Sequence, residues 1–530
     1  MLLIISPIKL KYPAERESGP VEYKSVLVNV GDDRIERLAS QMKYRLFEGG
    51  GEAIYLLGVN DDGSPRGLTP EEEAESLDTL RRVAESVGAS IRVLDRRDYS
   101  GRVITRVLVR LSREEHPPSQ INVIVVGNVD AGKSTTIGTL CYGSLDDGRG
   151  SNMRRVARFT HEILTGRTSS VAIRLLGFDL NGKPVNWGLP NPLDEAQIYL
   201  SSKKIVSLVD VGGHERYLRT ALRGVMSKFP DYAMLVVSAN AGLQVMGREH
   251  LGVCLALKIP VFVVFTKIDM VSRETEEGYF EETLNILRKL DKKPFVIKTL
   301  DDVYDVVQAM PSGRIVPILR LSNTTGYGLE ILTEFLNLLP PRKQWSELAR
   351  KPLLAYITDI YDVRGVGTVI AVAIERGSIS ENSYYFLGPL RDGSWRKIKV
   401  KSIHVNRVPV SVARAGEEAT LAISEFKREE IEKGLVLAET PLHSSQSIIA
   451  DILVLKHPTT IKTGYQTVLH IHSIRAPVEF TWMEKEPMRT GDMGLVRLKF
   501  FKGPWYIEEG EEFILRDSRT RAIGTVYKIE

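Results

Sequence analysis

The pattern of hydrophobic and polar positions divides the chain into four regions, and the first runs from residue 1 to about 118. Short apolar runs alternate there with amphipathic stretches, which predicts a small α/β domain. Predicted strands are Ser25–Val30, Ala53–Leu57, Ile91–Leu94 and Val103–Leu111. The predicted helices are Asp32–Phe47 and Thr69–Val87, the second with Thr69 as N-cap and Pro70 in the first turn. No residue of this region points to chemistry.

The second region, 119–345, contains apolar runs without polar alternation, and helical segments follow them. The runs are INVIVVG (121–127), IVSLVDV (205–211), YAMLVVSA (232–239), PVFVVF (260–265) and IVPILRL (315–321). Strands that are apolar on both faces and separated by helices are typical of a mostly parallel sheet with helices on both sides.

After about residue 345 short strands recur with turn residues between them, as in a barrel or sandwich. We divide this tail into two all-β barrel domains, 346–445 and 446–530. The sequence thus predicts a multi-domain chain: a small α/β N-terminal domain, an α/β domain with a phosphate-binding loop, and two β-barrels.

Composition narrows the class of protein. The 530 residues are 43% hydrophobic, which excludes disorder as the main state. The net charge of +4 requires any nucleic-acid surface to be a local patch. The two cysteines form no CxxC pair, which argues against a disulfide scaffold or a cysteine zinc site and suits a reducing compartment. No secretory signal or membrane helix is expected, so we predict a cytoplasmic protein.

A phosphate-binding motif follows the first apolar run of the second region. The segment G-N-V-D-A-G-K-S satisfies G-x-x-x-x-G-K-[ST], with a strand before it and a helix from Thr135 after it. Backbone N–H groups of such a loop point at phosphate oxygens, Lys133 bridges the terminal phosphates, and the Ser134 hydroxyl is a Mg²⁺ ligand. The predicted nucleotide-binding residues here are Gly127, Asn128, Val129, Asp130, Ala131, Gly132, Lys133, Ser134 and Thr135.

Residues at the ends of later strands predict which nucleotide binds. Asp210 can hold a Mg²⁺-bound water, and the amide of Gly213 can contact a γ-phosphate. In the segment Thr266-Lys267-Ile268-Asp269, the Asp269 carboxylate can accept two hydrogen bonds from the N1–H and N2–H₂ edge of guanine, and adenine has no such donor pair. Lys267 can lie along the base face, and Ser322-Asn323 is placed to contact guanine O6. The order of these motifs predicts a GTP site.

Several strings also resemble known families. DVGGHE (210–215) is similar to the DxxGH of translational GTPases, the group that includes elongation factor Tu and elongation factor 1-alpha. The chain resembles the GTP-binding protein 1 and 2 family more closely and over nearly its whole length. The strings that carry this resemblance are GNVDAGKST, HEILTGRTSSV (161–171), LGFD (176–179), GVGTV (365–369), KSIH (401–404), HPTTI (457–461) and RTGD (489–492).

The resemblance implies a GTPase with a three-domain translation-factor core behind a family-specific N-terminal domain. It implies that Thr168 is the switch threonine completing the Mg²⁺ shell, and that His214 positions the water attacking the γ-phosphate. Thr266 stands where many GTPases have Asn, and one hydroxyl cannot bridge two groups as an amide can. We therefore expect a weaker tether to the phosphate loop, with guanine selection left to Asp269. We also expect slow intrinsic turnover that a macromolecule accelerates.

Two functions fit these features. The first is a translation factor that acts with the ribosome, in elongation or ribosome rescue, and carries an aminoacyl-tRNA or related RNA. Within 391–407, Lys397, Lys399 and Lys401 fall on one strand face, as a track for RNA phosphates or as an ordinary solvated strand. The second is a GTP-regulated adaptor in RNA surveillance or mRNA decay, whose N-terminal domain holds a decay or rescue factor. A monomer is expected in either case.

Overall fold

The computed structural model of the chain describes residues 12–112, 117–157, 172–211, 229–424, 426–517 and 519–530. The N-terminal region forms a four-stranded sheet in the order β1-β2-β4-β3. Its strands are β1 (Val21–Lys24), β2 (Glu52–Leu57), β3 (Ala89–Tyr99) and β4 (Arg102–Leu111). Its helices are α1 (Asp32–Glu48) and α2 (Pro70–Ser86).

Both predicted N-terminal helices and three of the four predicted strands are present. Thr69 caps α2 as predicted, and Glu72 completes a capping box. The strand predicted over Ser25–Val30 is wrong, because β1 lies just before it and takes the place beside β2. Leu27 is instead buried against α2, where its N–H donates to Ser76 Oγ at 3.0 Å.

The N-terminal sheet is covered on both faces. One face packs on α1 and α2 through residues such as Tyr55 and Val107. The other face, with Ile54 and Leu108, shares a core with the next domain. At this contact the buried Glu52 carboxylate accepts from Arg110 Nε at 2.7 Å and from Lys204 Nζ at 2.8 Å. The two domains are therefore joined by apolar packing and a buried ion triad.

The second domain is a seven-stranded sheet in the order β10-β11-β9-β8-β5-β7-β6. All five predicted apolar runs are strands of this sheet. The strands are β5 (Ser119–Gly127), β6 (Ala172–Phe178), β7 (Lys204–Asp210), β8 (Tyr232–Ser238), β9 (Val261–Thr266), β10 (Lys293–Ile297) and β11 (Ile315–Arg320). The edge strands β6 and β10 were not predicted. They are paired on one side only and are therefore less uniformly apolar, and β6 is also antiparallel to its neighbour.

Helices cover both faces of this sheet. They are α3 (Lys133–Tyr142), α4 (Ser151–Val156), α5 (Glu195–Ser201), α6 (Val245–Ala256), α7 (Arg273–Lys289), α8 (Leu300–Val306) and α9 (Leu329–Leu338), with α10 (Trp345–Leu348) leading to the barrels. The short 3₁₀ helices of the described chain are Val185–Gly188, Ile268–Met270, Val307–Ser312 and Arg428–Glu430. Separate apolar clusters line the two faces of the sheet. The carboxyl ends of the parallel strands therefore lie on one edge, where ligands of open α/β sheets bind.

The tail forms two barrels. In the first, β15, β20, β12, β13, β19 and β16 form a ring that the pairing of β15 with β16 closes, and β17, β14 and β18 lie beside it. Its strands are β12 (Leu354–Val363), β13 (Gly367–Arg376), β14 (Ser378–Ser380), β15 (Tyr384–Gly388), β16 (Arg396–Val405), β17 (Val408–Val410), β18 (Val412–Arg414), β19 (Glu418–Ile423) and β20 (Val436–Ala438).

The second barrel is closed in the order β21-β24-β23-β22-β25-β26. Its strands are β21 (Ser447–Lys456), β22 (Gln466–Ile471), β23 (Ile474–Met483), β24 (Met493–Phe500), β25 (Glu512–Arg516) and β26 (Arg521–Ile529). The buried side chains of both barrels form one continuous apolar cluster. The predicted fold class is confirmed: an N-terminal α/β region, an α/β nucleotide domain and C-terminal β-barrels.

Side chains from the nucleotide domain, the first barrel and the second barrel meet where the barrels contact the nucleotide domain. We name Phe229, Tyr356, His472 and Glu511 the junction cluster. The His472 ring stacks on Tyr356 with centroids 4.3 Å apart, and Phe229 lies 5.6 Å from His472. Nε2 of His472 is 2.8 Å from a Glu511 carboxylate oxygen. The cluster connects the chain segment after the nucleotide site to both barrels.

The helices in the described parts of the chain are all too short or too polar to cross a bilayer.

Candidate nucleotide-binding site

The phosphate loop between β5 and α3 has a backbone that requires glycine at two positions. Gly127 has a φ of +142°, and a Cβ there would lie 2.3 Å from the carbonyl oxygen of Val236. Gly132 has a φ of +93° and immediately precedes the first residue of α3. These angles are accessible to glycine at little cost, so the loop closes tightly and presents the start of α3 to a ligand.

Lys133 is buried inside this loop. Its Nζ donates to the carbonyl oxygens of Asn128 at 2.6 Å and Gly127 at 3.2 Å. Burial lowers the pKa of Lys133, and the nearby carboxylates of Asp210 and Asp130 oppose that shift. The ammonium group is therefore held inside the loop by backbone carbonyls, and phosphate oxygens can replace these carbonyls as its partners.

Two oxygen donors lie together beside the loop. The Ser134 hydroxyl at the start of α3 donates to the Asp210 carboxylate at the end of β7, with the oxygens 2.6 Å apart. A hydroxyl and a carboxylate are hard oxygen donors of the kind that a small divalent cation prefers, so the donor set fits the predicted Mg²⁺.

The end of β9 supports the phosphate loop. Thr266 is fully buried, and its Oγ1 donates to the carbonyl oxygen of Ala131 at 2.7 Å. Its hydroxyl is also 3.3 Å from the carbonyl oxygen of Val237, but its one proton serves the shorter contact. A threonine in the place of the more common asparagine therefore keeps a direct tether to the loop.

Asp269 is oriented by hydroxyl groups from the segment after β11. Its carboxylate accepts from Thr324 Oγ1 at 2.8 Å, and Thr324 Oγ1 is 3.0 Å from Ser322 Oγ. Partial burial works to raise the pKa of Asp269, but the hydrogen bonds from Ser322 and Thr324 outweigh it and lower the pKa. The group is therefore an anion, as the acceptor for a guanine edge must be.

Nine of the fifteen predicted site residues that the structure describes line one cavity of about 410 Å³. Its lining includes Val129, Asp130, Gly132, Lys133, Ser134, Thr135, Lys267, Asp269 and Asn323. Gly127, Asn128, Ala131, Asp210, Thr266 and Ser322 are not among the residues that line it. The predicted Thr168, Gly213 and His214 lie outside the described residues. The phosphate loop and the two base-side segments, distant in sequence, thus converge on one volume.

A histidine that was not predicted hydrogen-bonds to the phosphate loop. Nδ1 of the buried His250, on α6, accepts from the N–H of Gly127 at 3.1 Å. Burial and the nearby Lys133 lower the pKa of His250 to about 3, so the ring is neutral and can act as an acceptor. The N–H of Gly247, also on α6, donates to Asn128 Oδ1 at 2.5 Å. A lone histidine in a helix gives no sequence signal of this role.

A third wall of the cavity also went unpredicted. Asp146, Gly148, Arg149 and Gly150, from the segment between α3 and α4, and Met153 of α4 line the same cavity as the phosphate loop. The signal available in the sequence was the Asp-Asp-Gly-Arg-Gly run at 146–150, a typical turn composition that carries no specific chemistry.

The fold and this site define a GTPase of the translation-factor class. The family profile described as "Elongation factor Tu GTP binding domain" matches residues 118–348. Elongation factor 1-alpha of Pyrococcus furiosus is 27% identical over 441 residues, covering 77% of this chain and 98% of that protein. The protein is a GTP-hydrolysing enzyme.

Closer relatives give the family. GTP-binding protein 1 of Xenopus laevis is 40% identical over 521 residues, covering 96% of this chain and 78% of that protein. GTP-binding protein 2 of Homo sapiens is 39% identical over 532 residues, covering 98% and 88%. The chain belongs to the GTP-binding protein 1 and 2 family, as its motifs predicted.

Solved structures share the fold. The bacterial selenocysteine-specific elongation factor EF-Sec superposes with a TM-score of 0.55 at 20% identity, covering 78% of this chain and 59% of that chain. Elongation factor SelB of Methanococcus maripaludis, in complex with the GTP analogue GppNHp, superposes with a TM-score of 0.55 at 17% identity, covering 78% and 80%.

Proposed function

We propose that this GTPase is a cytoplasmic switch of translation that acts with the ribosome and carries an aminoacyl-tRNA or a related RNA, in elongation or in ribosome rescue. The observation that carries the proposal is that one helix, α6, contacts both the phosphate loop and the second barrel. A switch of this kind needs such a path, because the state of the nucleotide must change the surface offered to a partner.

The path through α6 is short. His250 accepts from the phosphate loop, and the preceding residue, Glu249, points to the second barrel. Its two carboxylate oxygens contact Arg516 of β25 at 2.7 Å and Arg521 of β26 at 2.8 Å. Arg516 is almost fully buried, so this contact cannot lengthen without a substantial electrostatic cost. A shift of the phosphate loop that moved α6 would therefore change the contacts of α6 with the second barrel.

A second connection runs along the chain itself. Residues 212–228, which include Gly213 and His214, join Asp210 of the nucleotide site to Phe229 of the junction cluster. Phe229 contacts Tyr356 of the first barrel and His472 of the second. Any nucleotide-dependent change in that segment would act directly on the place where the three domains meet.

The chemistry proposed for the site is in-line attack of water on the γ-phosphate of GTP. Lys133 and the loop amides would hold the phosphoryl oxygens, and Gly213 would donate its N–H to the γ-phosphate. Ser134, Thr168 and Asp210 would hold Mg²⁺, which would neutralise negative charge on the phosphates. His214 would orient the water, and its dependence on a docked partner would make turnover by the free protein slow.

An RNA-binding surface is supported by three lysines of β16. Within the described residues, no carboxylate lies within 4 Å of the Lys397, Lys399 or Lys401 ammonium groups, whereas the neighbouring Arg396 pairs with Glu430. Strand alternation places Lys397 and Lys399 on one face, and Lys401, at a register irregularity of β16, is also exposed. Three adjacent cations without protein counter-ions suit a phosphate backbone better than a protein surface that neutralises itself.

Cosedimentation with ribosomes in GTP, GDP and a non-hydrolysable analogue tests the proposal, with GTP turnover measured alongside. We expect pelleting with GTP and the analogue, release with GDP, and turnover that ribosomes accelerate. His214→Ala should still pellet in GTP but lose the acceleration. Rapid turnover by the free protein that ribosomes do not change would refute the proposal, and capture of decay factors without ribosomes would favour the adaptor function.

The lysine surface has its own test. Replacing Lys397, Lys399 and Lys401 by Ala should weaken tRNA binding and reduce the slope of log affinity against log salt by roughly two to three. A matched variant replaces three exposed lysines of the nucleotide domain, Lys289, Lys293 and Lys298, and should leave both quantities unchanged. Equal loss in the two variants would show that only net charge matters and would remove this surface from the proposal.

A further inference from the structure

The segment between α3 and α4 is shaped by one buried carboxylate. Asp146 Oδ2 accepts from the N–H groups of Gly148 at 3.0 Å and Gly150 at 3.1 Å, and Oδ1 accepts from Asn152 N at 2.8 Å. The N–H of Asp146 donates to the carbonyl oxygen of Asn323 at 2.8 Å. We name residues 146–150 the Asp146 loop. Its conformation is fixed from within and tied to the base side of the cavity.

Arg149 is the cation that this loop brings to the cavity. This loop and the helix α4 that follows it contain three arginines, and two of them, both in α4, have partners in the protein. Arg154 lies 3.6 Å from the Asp147 carboxylate, and Arg155 donates to Ser144 Oγ at 3.0 Å and stacks over the Tyr142 ring. Arg149 lines the cavity, and within the described parts of the chain no carboxylate lies within 4 Å of its guanidinium.

The carboxylate nearest in sequence is unsuited to pair with Arg149. Asp147 Oδ1 accepts from the backbone N–H of Arg149 at 2.8 Å and of Ser151 at 3.1 Å, and its other oxygen faces Arg154. The carboxylates of Asp146 and Asp147 therefore accept hydrogen bonds from the backbone of the loop, and Arg149 lines the nucleotide cavity without a carboxylate partner among the described residues. A cation in that position is stabilised when a phosphate binds.

The part of the nucleotide that Arg149 can reach follows from what the other walls bind. Lys133 and the loop amides are at the terminal phosphates, and Asp269 is at the guanine edge. The Asp146 loop is hydrogen-bonded to Asn323 on the base side and lines the same cavity as the phosphate loop, so we place it beside the middle of the nucleotide. We propose that Arg149 binds the α-phosphate, and so stabilises GTP and GDP equally. This inference rests on the guanine-nucleotide site described above.

Equilibrium binding of GTP, GDP, GMP and guanosine to the full chain tests the proposal. In Arg149→Ala we expect GTP, GDP and GMP to bind about tenfold more weakly, the loss of one exposed charge-assisted contact. Guanosine, which has no phosphate, should bind unchanged in competition with labelled GDP. Arg149→Lys should lose less, because it keeps the charge without the planar fork. Arg288→Ala, at an exposed arginine of the nucleotide domain that does not line the cavity, is the matched control and should resemble the wild type.

Steady-state turnover separates this role from a catalytic one. Arg149→Ala should raise KM about tenfold and leave kcat unchanged, because the contact is the same before and during phosphoryl transfer. A loss confined to GTP, a fall in kcat without a change in GDP affinity, or unchanged binding of all four ligands would each overturn the proposal. If the wild-type protein bound no guanine nucleotide, the nucleotide site itself would be in error, so the two failures are distinguishable.

Discussion

The hydroxyl of Thr266 offers a sharp test of how the phosphate loop is held. This hydroxyl donates to the buried carbonyl oxygen of Ala131, and within the described residues this is the only hydrogen bond between that carbonyl and the end of β9. Thr266→Val keeps the shape of the side chain and removes the donor. The Ala131 carbonyl then loses its hydrogen-bond partner at a buried position. Loss of a partner from a buried polar group costs about 1–3 kcal/mol.

That cost falls on the loop conformation that binds the nucleotide. If all of it opposes binding, GDP affinity falls by a factor of about 5 to 150, since about 1.4 kcal/mol is tenfold. The assay is the dissociation rate of a fluorescent GDP chased with unlabelled GDP, together with the equilibrium Kd. Thr266→Ser is the control, because it keeps the donor and loses only a methyl group. Unchanged dissociation in Thr266→Val, or equal acceleration in Thr266→Ser, would refute this account of the tether.

Three other contacts of the described structure can be tested by substitution. Asp269→Asn should weaken GTP binding at least a hundredfold, because the amide cannot accept hydrogen bonds from both guanine N–H groups. It should improve the binding of xanthosine triphosphate, because the C2 oxygen of xanthine can accept a hydrogen bond from the Asn amide. Competition assays with both nucleotides check this. Glu249→Ala should lower the free energy of unfolding by about 3 kcal/mol in urea titrations, because the buried Arg516 loses its carboxylate; an unchanged value would show that the contact is not coupled to stability. For His472, burial works to lower the pKa, but Glu511 and a second nearby carboxylate outweigh it and raise the pKa above 6.5. Its stabilising contribution is therefore complete below pH 6.5 and lost as the pH rises through the raised value, so the urea midpoint of the wild type should fall over that interval and that of His472→Asn should fall less.

Buried strands were predicted well because their signal lies in the residues themselves. The central strands β5, β7, β8, β9 and β11 are covered on both faces, so nearly every position is apolar and the run is unmistakable. Edge strands carry a weaker signal, and β6 and β10 were missed. The error at 25–30 is of another kind. That segment has the composition of a strand, but the position beside β2 is already taken by β1, and Leu27 is buried under a helix instead.

The sequence by itself determined the family, the fold class and the nucleotide motifs. Each of these depends on short segments of chain, in which the order of residue types determines the local backbone conformation. The phosphate loop needs its glycines at set intervals, and Asp269 follows its strand directly.

The tertiary structure alone decided what surrounds those motifs: the bond from Thr266 to the loop, the support from His250, the wall that holds Arg149, and the contact of Glu249 with the second barrel. The contacts of Thr266, His250 and Glu249 join residues that are separated by long stretches of chain, and their side chains are ordinary types that occur everywhere in proteins. Their roles depend on distances of about 3 Å between groups brought together by the packing of whole domains, and no local pattern of residues encodes such distances.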